Sequence, residues 1–63
     1  MDRAIHYDPS IVHSVAAIAG RWDVEPTSVY RLIRNGKLAA FKAGKEYRVT
    51  DRALAEYEEG VSA

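Results

Sequence analysis

Arginine, hydroxyl and tyrosine side chains recur at helical spacing near the middle of this chain. With about 100° of rotation per residue, Thr27, Arg31 and Arg34 share one side of a helix, with Ser28 and Tyr30 on its two flanks. A guanidinium can bind guanine through two hydrogen bonds, and hydroxyl groups bind phosphates or bases. This face therefore predicts binding to nucleic acid, although solvated surface arginines are the simpler alternative.

A short basic segment follows this helix. Lys42, Lys45 and Arg48 surround Gly44, and the glycine predicts a hairpin loop at 43–45. A small basic loop can lie along DNA phosphates or enter the minor groove. The alternative is an edge hairpin whose lysines prevent aggregation.

The charges of the chain are separated along its length. The formal net charge is zero, yet residues 26–52 carry seven basic side chains against two acidic ones. Charges more than about 8–10 Å apart are screened in physiological salt, so a local surplus decides what a surface attracts. The basic segment thus favours an anionic partner, and the acidic residues lie outside it for the most part.

Composition excludes several other classes of protein. A chain of 63 residues is expected to form one domain, with residues 1–10 and 60–63 mobile. It has no cysteine for disulfides or thiolate metal sites, so its core must be small and helped by aromatic residues such as Trp22. His6 and His13 have poor ligand spacing. We therefore expect no metal, no cofactor, no small-molecule ligand and no enzymatic activity.

The sequence also predicts where the protein is found. No apolar run approaches the roughly 20 residues that span a bilayer, and no signal-peptide pattern is present. We expect a cytoplasmic protein without a membrane partner.

The first helix has two possible starts. Asp8 and Pro9 could begin a helix that continues to Trp22. Ser14 is a good N-cap for a shorter helix that leaves residues 11–12 extended. We favour the shorter helix.

The second helix is expected to span residues 26–35. Val29, Leu32 and Ile33 form a compact apolar stripe opposite the arginines, so this side must be buried. Gly36 supplies the left-handed residue that ends the helix.

Two strands are expected at 37–42 and 46–49. In the second, Tyr47 and Val49 alternate with charged residues and should pack on the core. Phe41 could belong either to the core or to the hairpin surface, because the residues before it do not alternate.

A last helix is expected from a cap at Thr50 or Asp51 to about Glu59, with Leu54 and Tyr57 on its buried face. The predicted fold class is α+β: a small helical core with a two-stranded antiparallel hairpin.

The run Thr-Ser-Val-Tyr-Arg-Leu-Ile-Arg-Asn-Gly-Lys-Leu at 27–38 resembles the excisionase-like branch of the MerR-type winged helix-turn-helix superfamily. Further matching positions are Val15, Ala19, Val24, Gly44, Tyr47, Arg48, Val49, Leu54 and Tyr57. The chain departs from the family pattern at Ala17, Asp23 and Glu25, where the family often has an acid, a glycine and a hydroxyl cap.

The resemblance implies specific DNA contacts. The second helix would enter the major groove, and the hairpin, or wing, would contact the backbone or the minor groove. The major-groove residues would be Thr27, Ser28, Tyr30, Arg31 and Arg34, and the wing residues would be Lys42, Lys45 and Arg48.

The resemblance also implies a biological role. Excisionases, or recombination directionality factors, bind and bend attachment-site DNA in the bacterial host cell and bias a phage integrase toward excision. The expected partners are double-stranded DNA, an integrase and neighbouring copies, which could meet the acidic residues Glu56, Glu58 and Glu59. The short chain without heptads favours this role over a full MerR-type regulator. A small transcriptional regulator of the same fold and a protein-interaction module without DNA binding are the alternatives.

Overall fold

Three short helices and three short strands follow one another in the computed structural model, which describes residues 5–62. The part of the expected mobile ends that falls on residues 1–4 and 63 lies outside this range. In chain order the elements are β1 (Val12–Ser14), α1 (Val15–Trp22), α2 (Pro26–Arg34), β2 (Phe41–Ala43), β3 (Glu46–Thr50) and α3 (Asp51–Ser62).

The first helix begins at the later of its two possible starts. Ser14 is the N-cap of α1, and its hydroxyl accepts a hydrogen bond from the backbone N–H of Ala17 at 3.0 Å. A helix from Pro9 is therefore wrong, because β1 precedes the cap. The helix ends at Trp22, and its C-cap Asp23 has a left-handed φ of 58°. Asp adopts this conformation more readily than most non-glycine residues, which explains its place where glycine is common.

The second helix has an unusual cap at its start and a glycine after its end. Glu25 makes no side-chain capping hydrogen bond. Pro26 suits the first turn because its missing N–H would have had no helical partner there. The helix ends at Arg34, one residue earlier than predicted, and Gly36 takes a φ of 74°. The N–H groups of Gly36 and Lys37 then bond the carbonyls of Ile33 and Leu32, as in a Schellman motif.

The sheet has three antiparallel strands in the order β1-β3-β2, rather than the two strands predicted. The extra strand is β1, which pairs Val12 with Thr50. The predicted strand at 37–42 is wrong over 37–40, because the N–H groups of Lys37 and Leu38 both bond the Leu32 carbonyl at the end of α2. Leu38 is buried in the core instead.

The hairpin of β2 and β3, with the loop between them, is the wing (residues 41–50). Ala43 pairs with Glu46, so Gly44 and Lys45 form a two-residue loop. Gly44 has a φ of 67°, which a tight hairpin turn with glycine in its first central position requires.

The last helix begins directly after Thr50, whose hydroxyl accepts a hydrogen bond from the backbone N–H of Ala53 at 3.1 Å. This bond identifies Thr50, rather than Asp51, as the cap. The helix continues to Ser62, beyond the predicted end near Glu59.

The core is small and draws on every helix. Its buried side chains are Val15, Ile18, Ala19, Val29, Leu38, Val49 and Leu54. Tyr47 and Tyr57 pack against this cluster as predicted, and Trp22 lies half-buried at its rim. Phe41 is on the surface, with 44% of its area exposed. The fold is a winged helix-turn-helix of the α+β class.

Candidate nucleic-acid interface

The outer face of α2 carries the predicted reading residues. Thr27, Tyr30, Arg31 and Arg34 are all exposed, while Ser28 is half-buried. On the opposite side Val29 is fully buried, and Leu32 and Ile33 pack on the core. The angular positions inferred from sequence are thus confirmed. We call Thr27, Tyr30, Arg31 and Arg34 the recognition face.

The recognition face is basic, and the side chains of its two arginines are unpaired within residues 5–62. No acidic residue lies between 26 and 34. Within residues 5–62, Arg31 and Arg34 form no ion pair and no side-chain hydrogen bond. Their guanidinium groups can therefore bind a ligand without first giving up a protein partner, which favours an anionic or hydrogen-bonding partner at this face.

The three basic residues predicted for the wing lie in different surroundings. Lys45 is exposed in the loop, at the tip of the wing. Lys42 places its Nζ 5.2 Å from the centre of the Tyr47 ring. Arg48 donates from Nη1 to the Glu46 carboxylate at 3.1 Å and to the Tyr47 carbonyl at 3.2 Å.

The two faces of the wing divide these residues. Lys42 pairs with Tyr47 across the ladder, and Phe41 pairs with Arg48. Paired residues share a face and consecutive residues alternate. The Tyr47 face turns toward α2, because the Tyr47 and Tyr30 ring centres are 6.2 Å apart. The structure thus brings Lys42 beside the recognition face and places Arg48 on the opposite face.

Tyr47 lies beside the candidate interface, a position that the sequence did not predict. It was assigned to the core, and it does pack there. Its ring also contacts both Tyr30 on α2 and the Lys42 ammonium on β2. The signal was an aromatic residue within a basic hairpin, but the assignment required the register of β2 against β3.

The acidic residues of α3 have partners within the fold. The Glu58 carboxylate accepts hydrogen bonds from Arg21 and from the Trp22 indole. The Arg21 bond in particular holds the pKa of Glu58 below its ordinary value. Glu56 accepts a bond from Arg52 at 3.0 Å. The surface suggested for a neighbouring copy or an integrase is thus partly occupied by internal pairs.

A second carboxylate ties β1 and the segment before it to α3. Asp51 Oδ1 lies 2.7 Å from His13 Nε2, and Oδ2 accepts the backbone N–H of Asp8 at 2.8 Å. The bond with His13 lowers the pKa of Asp51. These contacts hold β1, at the edge of the sheet, against the start of α3.

The comparison with protein families decides the class of this interface. A family model described as a helix-turn-helix domain matches residues 15–61. The chain belongs to this helix-turn-helix family. The match begins with α1 and extends into the last turn of α3, so it includes the recognition face and the whole wing. Comparisons with curated proteins and with solved structures gave no match.

Membership in a helix-turn-helix family supports sequence-specific DNA binding. Proteins of this kind are typically not enzymes. Within residues 5–62, no group of three or more His, Cys, Asp or Glu side chains could hold a metal ion. In the same range, no helix is long and apolar enough to cross a membrane.

Proposed function

We propose that this helix-turn-helix domain is an excisionase, a recombination directionality factor that binds and bends attachment-site DNA. By this means it biases a phage integrase toward excision in the cytoplasm of a bacterial host. The observation that carries the proposal is the acid-free recognition face of α2 beside a basic wing. The resemblance of residues 27–38 to excisionases supports this role within the family.

The proposed complex places α2 in the major groove. Arg31 and Arg34 would read bases, with Thr27, Ser28 and Tyr30 on bases or nearby phosphates. Ser28 is half-buried, so its contact would come from the start of the helix, where N–H groups favour phosphate. The base-contacting part of α2 is therefore short and depends on its two guanidinium groups.

The wing would supply a second point of contact. Lys42 and Lys45 would bind the backbone or the adjacent minor groove. Arg48, the third basic residue expected there, is already paired with the Glu46 carboxylate. A protein that holds a duplex at two points can stabilise a bend, which costs the DNA about 1–6 kcal/mol over a site of 20–30 base pairs. The additional phosphate contacts would offset that cost.

A small transcriptional regulator would use the same surface, so the two roles differ in how the protein is arranged on DNA. An excisionase is expected to form a ladder of complexes on direct repeats beside an attachment site and to contact an integrase. A regulator is expected to form one complex at a promoter. A protein-interaction module would show no salt-dependent DNA binding at all.

The decisive experiment begins with selection of bound duplexes from a randomised library. Gel shifts on the selected sequence should reveal how many copies bind, and circularly permuted fragments should reveal a bend. Affinity should fall as salt rises, with a slope of about −0.9 in the logarithmic plot for each phosphate neutralised. An affinity that ignores salt would contradict DNA binding, whereas a single unbent complex would favour the regulator.

The recombination role needs its own assay. Purified integrase with paired attachment sites should give excision only when the protein is added. The Arg31→Ala/Arg34→Ala double variant is the control, because both side chains are exposed and their loss leaves the core intact. Salt-dependent binding without any effect on excision would retain DNA binding and reject the recombination role.

A further inference from the structure

Three side chains connect the wing to the recognition helix. Tyr30 on α2 meets Tyr47 on β3 edge to face, with ring centres 6.2 Å apart at 62°. Across the ladder from Tyr47, Lys42 holds its Nζ 5.2 Å from the same ring. The two rings and the ammonium therefore form one continuous group between α2 and the wing.

This group restricts a side chain that would otherwise be mobile. A lysine on an exposed edge strand has many rotamers, and fixing one of them costs entropy. The negative face of an aromatic ring attracts the ammonium and favours one position. The ring occupies only one side of the ammonium, so N–H donors remain for a second partner.

Arg48 offers the same charge in the opposite situation. It lies on the other face of the wing, with Phe41, and its guanidinium is paired with Glu46 at 3.1 Å. The Glu46 carboxylate offsets part of the positive charge that a phosphate would meet at Arg48. Lys42 has no carboxylate partner among residues 5–62.

From this geometry we infer that Tyr47 is a positioning residue of the DNA interface, which orients Lys42 toward a backbone phosphate bordering the groove that α2 occupies. Arg48 makes no such contact. The inference rests on the proposed DNA binding and deepens it, since it divides the basic residues of the wing into one contacting face and one non-contacting face.

The test compares two variants with the same change of charge. Dissociation constants for the selected duplex are measured between about 50 and 200 mM salt. Lys42→Ala should reduce the magnitude of the salt slope by about 0.9, the value for one phosphate. Arg48→Ala should leave the slope unchanged. Equal slopes for the two variants would overturn the division of the wing.

A double-mutant cycle tests Tyr47 separately. Tyr47→Leu keeps an apolar side chain on the core but removes the ring, and it should weaken binding about two- to fivefold. In the Lys42→Ala background the same substitution should cause no further loss. Tyr47→Phe keeps the ring and should bind as the wild type does.

Folding and binding effects can be separated in this cycle. Thermal unfolding of each variant gives the folded fraction at the binding temperature, and dissociation constants are corrected for it. A Tyr47→Leu loss that persists in the Lys42→Ala background would show a purely structural role and overturn the inference alone. If the affinity of the wild type for DNA does not depend on salt concentration, both the proposed function and the inference on Tyr47 are overturned.

Discussion

Glu58 in α3 is bound to Arg21 in the last turn of α1 through two parallel hydrogen bonds, at 2.6 and 2.7 Å. The same carboxylate accepts the Trp22 indole N–H at 2.7 Å, and the Trp22 ring lies 5.3 Å from that of Tyr57. One carboxylate thus fixes the last helix against the end of the first. In a domain with so small a core, this contact should contribute measurably to stability.

Glu58→Ala should lower the free energy of unfolding by about 1–2 kcal/mol, a range discounted for partial exposure. The loss arises because the Trp22 N–H and the Arg21 guanidinium both lose their acceptor. Urea unfolding followed by circular dichroism measures it. Glu56→Ala is the matched control, since its exposed partner Arg52 is four residues away and an exposed pair of this kind contributes little. Equal losses of stability in Glu58→Ala and Glu56→Ala would show that the Glu58 contacts with Arg21 and Trp22 contribute no more than an exposed pair.

Stability should fall in acid. Hydrogen bonds with Arg21 and His13 lower the pKa values of Glu58 and Asp51, respectively. The unfolded chain therefore binds more protons than the folded one below the ordinary carboxyl range, and stability rises with pH there. The contribution should be complete at neutral pH and lost as pH falls through about 4 and below.

Urea unfolding at a series of pH values checks this dependence. Glu58→Gln should be less stable than the wild type at pH 7, and the difference should shrink as pH falls toward 3. A constant difference between the two proteins would show that the ionised Glu58 carboxylate is not the source.

Two glycines should respond oppositely to alanine. Gly36 has a φ of 74°, and an added Cβ would contact no other atom. The cost of a Cβ at this position is therefore backbone strain alone. Gly36→Ala should cost about 1–2 kcal/mol. Gly20 lies within α1, also with open space, and Gly20→Ala should gain about 0.5–1 kcal/mol. Thermal unfolding distinguishes the two, and a stabilised Gly36→Ala would contradict the left-handed end of α2.

Local signals predicted most of the helical part of the fold. Ser14 and Gly36 mark helix ends through bonds to residues a few positions away, so their effect is visible in sequence. The strand β1 was not predicted, because Val12 pairs with Thr50 far along the chain. Its three residues carry no alternating pattern of their own, so only the tertiary structure defines the strand.

In the candidate site, too, local features were predictable from sequence and long-range ones were not. Helical periodicity alone predicts that Arg31 and Arg34 are exposed, and both are exposed in the structure. The separation of Lys42 from Arg48 depends on the register of the wing. The three-residue loop predicted at 43–45 would have paired Lys42 with Glu46 and so placed it on the face of Arg48. The pair of Arg21 and Glu58 spans 37 positions and has no local signature.

The core should be sensitive to truncation. Ile18 is 1% exposed, and Ile18→Ala should cost about 2–5 kcal/mol. A domain of 63 residues has a total stability of about 3–9 kcal/mol, so this variant should lose a large share of that stability and unfold at a lower temperature. Ile11→Ala makes the same change where 42% of the side chain is exposed, and it should stay within about 0.5 kcal/mol of the wild type. Similar losses at both positions would place Ile18 outside the core.

Arg31 and Arg34 should determine sequence preference rather than general affinity. If each guanidinium reads a base through two hydrogen bonds, Arg31→Ala or Arg34→Ala should weaken binding to the selected duplex by about 1–3 kcal/mol and relax specificity at one position. Arg31→Lys and Arg34→Lys are the matched controls, because lysine keeps the charge but lacks the planar pair of donors. They should lose the base preference while keeping the salt slope. Alanine variants that discriminate between duplexes as well as the wild type, but with a smaller salt slope, would show that these residues bind phosphates. The reading of bases would then have to come from Thr27, Ser28 or Tyr30.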